Sequence, residues 1–214
     1  MKSKIQSLKN GNKKTVIKKL FLTAAVAVSS VTFAQQFGAK AGMNVSTISD
    51  EGFDDTKSKV GYYAGVFMNV PVSESFSIQP EVLYNNLGSK VSSTVSGTTY
   101  SSTLNLDYVA VPVMFQYKAT PQFYLEAGPE FGFLVGAKQK FDDGSSSTVT
   151  ELDKEDFNSF NMGVGLGLGF DISKNVGLNA RYVAGFSDIT KESGPAADAK
   201  NKNNAFQVGL NIKF

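Results

Sequence analysis

Six ionisable residues stand out by type and by spacing. Lys40, Arg181 and Lys213 are cationic, and Glu81, Glu126 and Glu130 are acidic. Each is flanked on both sides by apolar residues or proline, as in Ala39-Lys40-Ala41 and Ala180-Arg181-Tyr182. That places each charge on the polar side of an alternating segment. Gathered in a narrow interior, three cations and three carboxylates are expected to pair, because a lone buried charge is costly. Two kinds of chemistry follow from such a set. It is a structural plug, or it is a ring of charges that selects ions along a path.

Enzymatic chemistry has less to stand on. The chain has no His, no Cys and no Trp. Without His there is no usual general base near neutral pH and no Ser-His-Asp triad. Without Cys there is no thiol nucleophile, thiolate metal site or disulfide. A paired-carboxylate hydrolase remains formally open, but the glutamates above have no cleft beside them in the sequence pattern. Gly163 to Gly169 carries glycine at every second position. That is not the spacing of a phosphate loop, and no helix or phosphate-binding lysine follows it. It reads as space left for bulky side chains of neighbouring strands. Acidic residues cluster at Asp50, Glu51, Asp54 and Asp55, and again at Asp142, Asp143, Glu151, Asp153, Glu155 and Asp156. Their spacing fits no calcium loop. No metal and no cofactor is expected.

The elements that must carry the six charges are strands. Alternation of period two runs almost from residue 37 to the end. Phe206, Val208, Leu210, Ile212 and Phe214 share one face of the last segment, and Gln207, Gly209, Asn211 and Lys213 share the other. Seven earlier segments behave alike, giving eight strands of about nine to eleven residues, the length a tilted strand needs to cross a bilayer. Short links are expected at Pro71–Ser75, Lys118–Gln122 and Asp171–Asn175. Long ones are expected at Ser46–Lys59, Asn86–Thr103, Lys138–Asp156 and Ser187–Asn203, the Ser/Thr-dense stretches among them reading as flexible polar loops. Regular alternation of short and long connections is the pattern of an up-and-down antiparallel transmembrane barrel, with short turns in the periplasm and long loops outside.

Aromatic residues fall at matching strand ends. Phe37, Phe76, Tyr117, Phe123, Phe170 and Phe214 are placed for a periplasmic girdle, and Tyr62, Tyr84, Phe133, Phe186 and Phe206 for an outer one. The outward positions between them carry no charge. Asp107 is the nearest exception by parity, and is expected either above the apolar band or on a bulge that shifts the register.

The first 34 residues differ in kind. They hold seven Lys and no acid, a short apolar run from Leu20 to Val28, and small residues before Gln35. This is the pattern of a secretory signal peptide, giving 1–34 as signal and 35–214 as the barrel domain. The formal charge of +2 thus hides an acidic remainder, with 14 basic against 19 acidic residues. That balance does not suit nucleic acid.

Three motifs carry a family likeness. They are Phe37-Gly38-x-Lys40-x-Gly42-x-Asn44, Phe76-Ser77-Ile78-Gln79-Pro80-Glu81 and Leu106-Asp107-Tyr108-Val109-x-Val111-Pro112. With them the chain resembles, over 37–214, the small eight-stranded outer-membrane β-barrel proteins of Bacteroidota, often called porin-family or PorT-like, with an OmpA/OmpX-type barrel. The resemblance implies an all-β, multi-pass barrel in the cell outer membrane. It implies that Phe206, Val208, Leu210, Ile212 and Phe214 form the signal read by the barrel assembly machinery. Outer-membrane lipid is the other expected partner. The expected role is non-enzymatic, structural or in surface interaction through the long loops, as a monomer with an unidentified loop ligand. The alternatives are a narrow channel for ions or small solutes, an accessory component of a secretion system, and a soluble carrier with the two faces reversed.

Overall fold

The computed structural model describes residues 35–49, 57–95, 98–154, 157–189 and 202–214. The expected signal peptide and the acids at Asp50, Glu51, Asp54, Asp55, Glu155 and Asp156 lie outside the described residues. Among the described residues nine strands follow one another: β1 (Gln36–Ser49), β2 (Lys57–Pro71), β3 (Phe76–Val95), β4 (Thr98–Lys118), β5 (Phe123–Asp142), β6 (Ser147–Glu151), β7 (Phe160–Asp171), β8 (Val176–Asp188) and β9 (Lys202–Lys213).

Eight of them close a ring. The hydrogen-bonded order runs β4-β3-β2-β1-β9-β8-β7-β5, and β4 pairs with β5 to join the ends. All these pairings are antiparallel. The ninth strand, β6, pairs only with the far part of β5, at Lys138 to Asp142. The closed antiparallel barrel expected from the alternation is therefore the fold, with a short strand added outside the ring.

The burial pattern follows parity closely. In β4 the even positions Leu106 to Gln116 are buried, while Val109, Val111, Val113, Phe115 and Tyr117 face outward. The inverted sense is the informative part. Lys40, Glu81, Glu126 and Arg181 are buried, whereas Phe37, Val66, Leu166 and Leu210 are among the exposed. A soluble carrier would do the opposite, because apolar area left in water costs about 25 cal/mol per Å².

All three short turns use the same device. Ser73, Thr120 and Ser173 each stand three residues before a strand, and each hydroxyl accepts the N–H of that strand's first residue: Phe76 at 3.1 Å, Phe123 at 2.9 Å and Val176 at 3.1 Å. In each turn the backbone N–H of the same Ser or Thr also donates to the strand's first carbonyl, from Ser73 to Phe76, from Thr120 to Phe123 and from Ser173 to Val176. A Ser or Thr hydroxyl caps such a turn locally.

Two expected loops are strands instead. β3 runs on to Val95 and β4 starts at Thr98, so the hairpin occupies most of 86–103. β5 continues to Asp142, and β6 folds back beside it. Thr, Val and Tyr favour extended backbone, and cross-strand pairs such as Ser93 with Tyr100 and Lys140 with Val149 hold the extension together. A four-stranded platform thus stands beyond the ring on the side of the long connections.

Three prolines interrupt the wall. Pairing skips two residues between Phe67–Glu81 and Val70–Ile78, beside Pro80. It skips again between Pro80–Val113 and Leu83–Ala110, and between Pro112–Glu130 and Phe115–Ala127, beside Pro112 and Pro129. The register is the same on both sides of each gap. A missing N–H, not a bulge, opens the ladder there.

Asp107 faces outward, as parity requires. A one-residue shift does occur at its level, but on β5, where Asp107 pairs with Gly136 and Tyr108 with Leu134. Val135 is the extra residue.

Candidate functional site

The barrel interior is built in layers. Nearest the short turns, Asn69 Nδ2 donates to Ser77 Oγ at 3.1 Å, Gln79 Oε1 at 3.1 Å and Gln116 Oε1 at 2.8 Å. The two glutamines then reach inward. Gln79 Nε2 donates to Glu81 Oε1 at 2.8 Å and Gln116 Nε2 to Glu126 Oε2 at 3.0 Å.

The next layer carries the charges. Arg181, on β8, donates through Nη1 and Nη2 to the two oxygens of Glu81 at 2.9 and 2.8 Å. Its Nε donates to Glu126 Oε1 at 2.7 Å. Lys40 Nζ donates to Glu81 Oε1 at 3.0 Å. All four side chains are essentially inaccessible, at 1% or less for the charged groups of each pair with Arg181 and Lys40. A bidentate fork into one carboxylate and a third bond into another is geometry only a guanidinium supplies.

A second chain of hydrogen bonds crosses the interior beside it. Tyr63 donates to Asn179 Oδ1 at 2.8 Å, Asn179 Nδ2 to Asn211 Oδ1 at 2.8 Å, and Asn211 Nδ2 to Tyr124 Oη at 3.0 Å. Glycine makes this density possible. A Cβ on Gly169 would overlap the Tyr124 ring, and one on Gly165 would press on Met114 and Arg181 at 3.1 and 3.3 Å.

Two of the six expected charges behave differently. Glu130 is buried on the interior face, but its Oε2 meets no hydrogen-bond partner. Lys213 does not join the glutamates. Its Nζ pairs with Asp171 Oδ2 at 2.6 Å, at the turn end of β7. Lys213 is the last residue of β9 and pairs there with the last residue of β7 rather than with Glu81 or Glu126.

Above the charges, past buried Asn44, Asn85 and Gln207, part of the interior is apolar. Leu106, Tyr108, Ala137, Phe157 and Ile189 form one buried cluster, flanked by Ile48, Leu87, Leu104, Leu134 and Leu152. Sequence reasoning missed this layer, although Leu104, Leu106 and Tyr108 are bulky residues at inward positions where the other strands place polar groups. Phe157 and Ile189 enter it from connections, where parity gives no signal.

The outward residues line up in bands. Phe76 and Tyr117 pair with ring centroids 5.1 Å apart, Phe123 pairs with Phe170 across the ladder, and the Phe214 N–H donates to the Phe37 carbonyl at 2.9 Å. At the other level Tyr62 lies 6.0 Å from Tyr84, and Phe133 5.6 Å from Phe160. Phe206, Val208, Leu210, Ile212 and Phe214 form an unbroken exposed stripe on β9.

On the platform, Asp142 and Asp143 serve the β5–β6 turn. Asp143 Oδ1 accepts the N–H groups of Ser145 at 2.9 Å and Ser146 at 2.6 Å, which holds its carboxyl below the usual aspartate range. Among the described residues no group of three or more metal-ligating side chains converges. Nor is any described helix long and apolar enough to cross a membrane.

The model of the outer membrane protein beta-barrel domain family matches residues 33–191. Several solved structures are similar to this chain at low identity. Ail, the attachment invasion locus protein of Yersinia pestis, is 14% identical with a TM-score of 0.49, covering 85% of this chain and all of that one. Neisserial surface protein A is 13% identical with a TM-score of 0.48, covering 85% and 100%. OprG from Pseudomonas aeruginosa is 14% identical with a TM-score of 0.39, covering 85% and 96%. Likeness at this level says nothing about role. No curated protein matches the chain.

Proposed function

The chain belongs to the outer membrane β-barrel domain family and is a multi-pass protein of the outer membrane; on that premise we propose that it is a closed, non-enzymatic barrel that presents the β3–β4–β5–β6 platform as a surface-interaction element. The observation that carries this reading is the filled interior. Eight strands enclose just enough room for side chains. Here that room holds the Arg181–Glu81–Glu126–Lys40 layer and, beyond it, the apolar cluster around Leu106 and Phe157. A hydrated ion would have to displace a guanidinium bonded to two carboxylates, which opposes conduction.

The platform supports the second half of the reading. β3 and β4 are 20 and 21 residues long, about twice what a crossing needs. The surplus is not consumed by the membrane. On one face it carries exposed Val91, Tyr100 and Phe141, neighbours through Ser102 in the register, the kind of apolar surface that marks contact with a partner. The finer likeness to PorT-like proteins makes a secretion partner one candidate for that contact, and co-purification with the barrel is its test. The exposed β9 stripe ending in Phe214 is the face the assembly machinery would read.

The deciding experiment is single-channel conductance of the refolded barrel in a planar bilayer, with insertion checked by the shifted gel mobility of unboiled protein. An inserted but silent barrel is expected. Discrete conductance steps that change in Arg181→Ala would replace this reading with the narrow channel.

A further inference from the structure

Between the charge layer and the apolar cluster lies a level at which the inward residues are polar. It recurs on β1, β3 and β5, which run in the same direction. Four residues past Lys40, Glu81 and Glu126 stand Asn44, Asn85 and Glu130, and further along the same strands Ile48, Leu87 and Leu134 flank the apolar cluster.

The level can be followed round the ring. Asn44 pairs with Gln207, whose Nε2 donates to Asn85 Oδ1 at 3.5 Å. Asn85 pairs with Tyr108 on β4. Tyr108 and Asn161 both lie against Gly132, 3.4 and 3.5 Å from where its Cβ would stand, and Glu130 is the preceding inward residue of that strand. Glu130 pairs with Gly163, Gly163 with Gly185, and Gly185 lies against the Asn203 backbone.

Hydrogen bonding sets this level apart. Asn44 Oδ1, Asn85 Nδ2, Tyr108 Oη, Glu130 Oε2, Asn161 Nδ2 and both amide atoms of Asn203 meet no partner among the described residues. Exposure is 0% for Asn44 and Asn85, 2% for Tyr108, 5% for Asn203 and 7% for Glu130, so bulk solvent does not serve them. Buried polar groups are nearly always paired. A set of them turned into one interior level points to a polar ligand.

Glu130 sets the sign of that ligand. The charged groups acting on it are Arg181, Glu81 and Lys40. Both cations are already bonded, Arg181 to Glu81 and Glu126, and Lys40 to Glu81. Two cations thus stand against three carboxylates. Lys59, the other buried cation, bonds Asn86 Oδ1 and the Leu87 carbonyl, and Asn86 bonds Asp107, so its charge is set against a different carboxylate. A buried charge without a counter-charge is costly. The unmatched charge is single, and no three metal-ligating side chains converge among the described residues. That suits a monovalent ion better than a divalent one, which gathers several carboxylate ligands.

We infer that this level holds a monovalent metal cation, with Glu130 Oε2 as its anionic ligand, Tyr108 Oη as a second oxygen, and the amides of Asn44, Asn85, Asn161 and Asn203 ordering the water that completes its shell. The inference goes beyond the closed-barrel reading. Binding is read at equilibrium and conduction in a bilayer, so the failure of one is seen apart from the failure of the other.

The test uses the full chain expressed in the outer membrane of a Gram-negative host and extracted in a nonionic detergent. The barrel is unfolded in urea and refolded into micelles in mildly alkaline sodium chloride, or in choline chloride at equal concentration. The midpoint for thermal loss of heat-modifiable gel mobility is expected to be higher in sodium. Equilibrium dialysis against radioactive sodium is expected to show saturable uptake. Glu130→Gln removes the charge at nearly constant shape and is expected to abolish both the salt difference and the uptake. Tyr108→Phe keeps the ring and is expected to weaken uptake without abolishing it. Unchanged mobility of the unboiled variants confirms folding. Equal midpoints in the two salts, with no saturable uptake, overturn the site. A sodium effect that persists in Glu130→Gln overturns the assignment to that carboxylate, and displacement of sodium by equimolar magnesium overturns the monovalent class.

Discussion

The Arg181 guanidinium spans the barrel from β8 to bond both carboxylate oxygens of Glu81 on β3, at 2.9 and 2.8 Å. The two strands are not neighbours in the ring. One side chain therefore ties opposite walls together, and a third bond to Glu126 adds a third wall.

Removing that tie leaves two buried carboxylates facing each other. Arg181→Met is expected to destabilise the barrel by about 3–5 kcal/mol, the cost of orphaning a buried ion-pair partner. The checking measurement is the urea midpoint at which heat-modifiable gel mobility is lost. Arg181→Lys should recover little, because an ammonium cannot fork into one carboxylate and also reach the other. Adding Glu126→Gln to Arg181→Met should recover a substantial part, since one charge of each sign is then gone and the buried Lys40–Glu81 pair is left intact.

The glycine beneath Tyr124 tests the packing directly. Gly169→Ala places a methyl into the Tyr124 ring, and overpacking of this kind costs about 1–3 kcal/mol. Tyr124→Ser in the same chain should relieve the clash, so the two substitutions are expected to be non-additive in thermal unfolding. Additive losses would mean that the ring moves aside freely.

The ladder gaps beside Pro80, Pro112 and Pro129 should show in exchange. Backbone amides of β3, β4 and β5 at those levels are expected to exchange faster than those of β8 and β9, whose pairing runs unbroken from Val176 to Ala184. Hydrogen exchange of the barrel in lipid nanodiscs reads this. Uniform protection around the ring would show that the gaps are closed by other contacts.

The Asp143 turn gives the platform a pH response. Its carboxyl is held below the usual value of 3.8 by the Ser145 and Ser146 amides. A carboxyl depressed in the folded state contributes stability above its unfolded value, and that contribution is lost as pH falls through the folded one. The β5–β6 turn is therefore expected to loosen only in acid below the ordinary aspartate range, seen as faster exchange of the Ser145 and Ser146 amides. Asp143→Ala should abolish the pH step and leave the turn loose at neutral pH.

How much of this was legible before the structure varies by element. The wall was legible because side-chain direction in a strand alternates residue by residue, so a period-two pattern names the inward set without any knowledge of partners. The Ser/Thr-rich stretches have the composition of loops, and β3, β4 and β5 nevertheless continue through them. They carry no alternation of polarity because neither face is covered by lipid or by a core, and only the cross-strand pairing reveals them as sheet. Parity puts Asp107 outward, but its bond from Asn86 Nδ2 at 2.6 Å, and the bond from inward Lys59 to Asn86 Oδ1 behind it, are contacts across the wall that parity does not name.

The sequence by itself determined the alternation of inward and outward residues along the wall and the places of the three short turns, because these are local properties of an alternating chain. The tertiary structure alone decided which inward residues meet. Arg181 finds Glu81 a hundred positions away, Lys213 finds Asp171 rather than a glutamate, and Phe157 and Ile189 enter the apolar layer. Those choices follow from the stagger of strands around a closed ring, which sets the height of each residue inside the barrel. That stagger is fixed by pairing summed over all eight strands and by single-residue bulges such as Val135, and no local pattern encodes it.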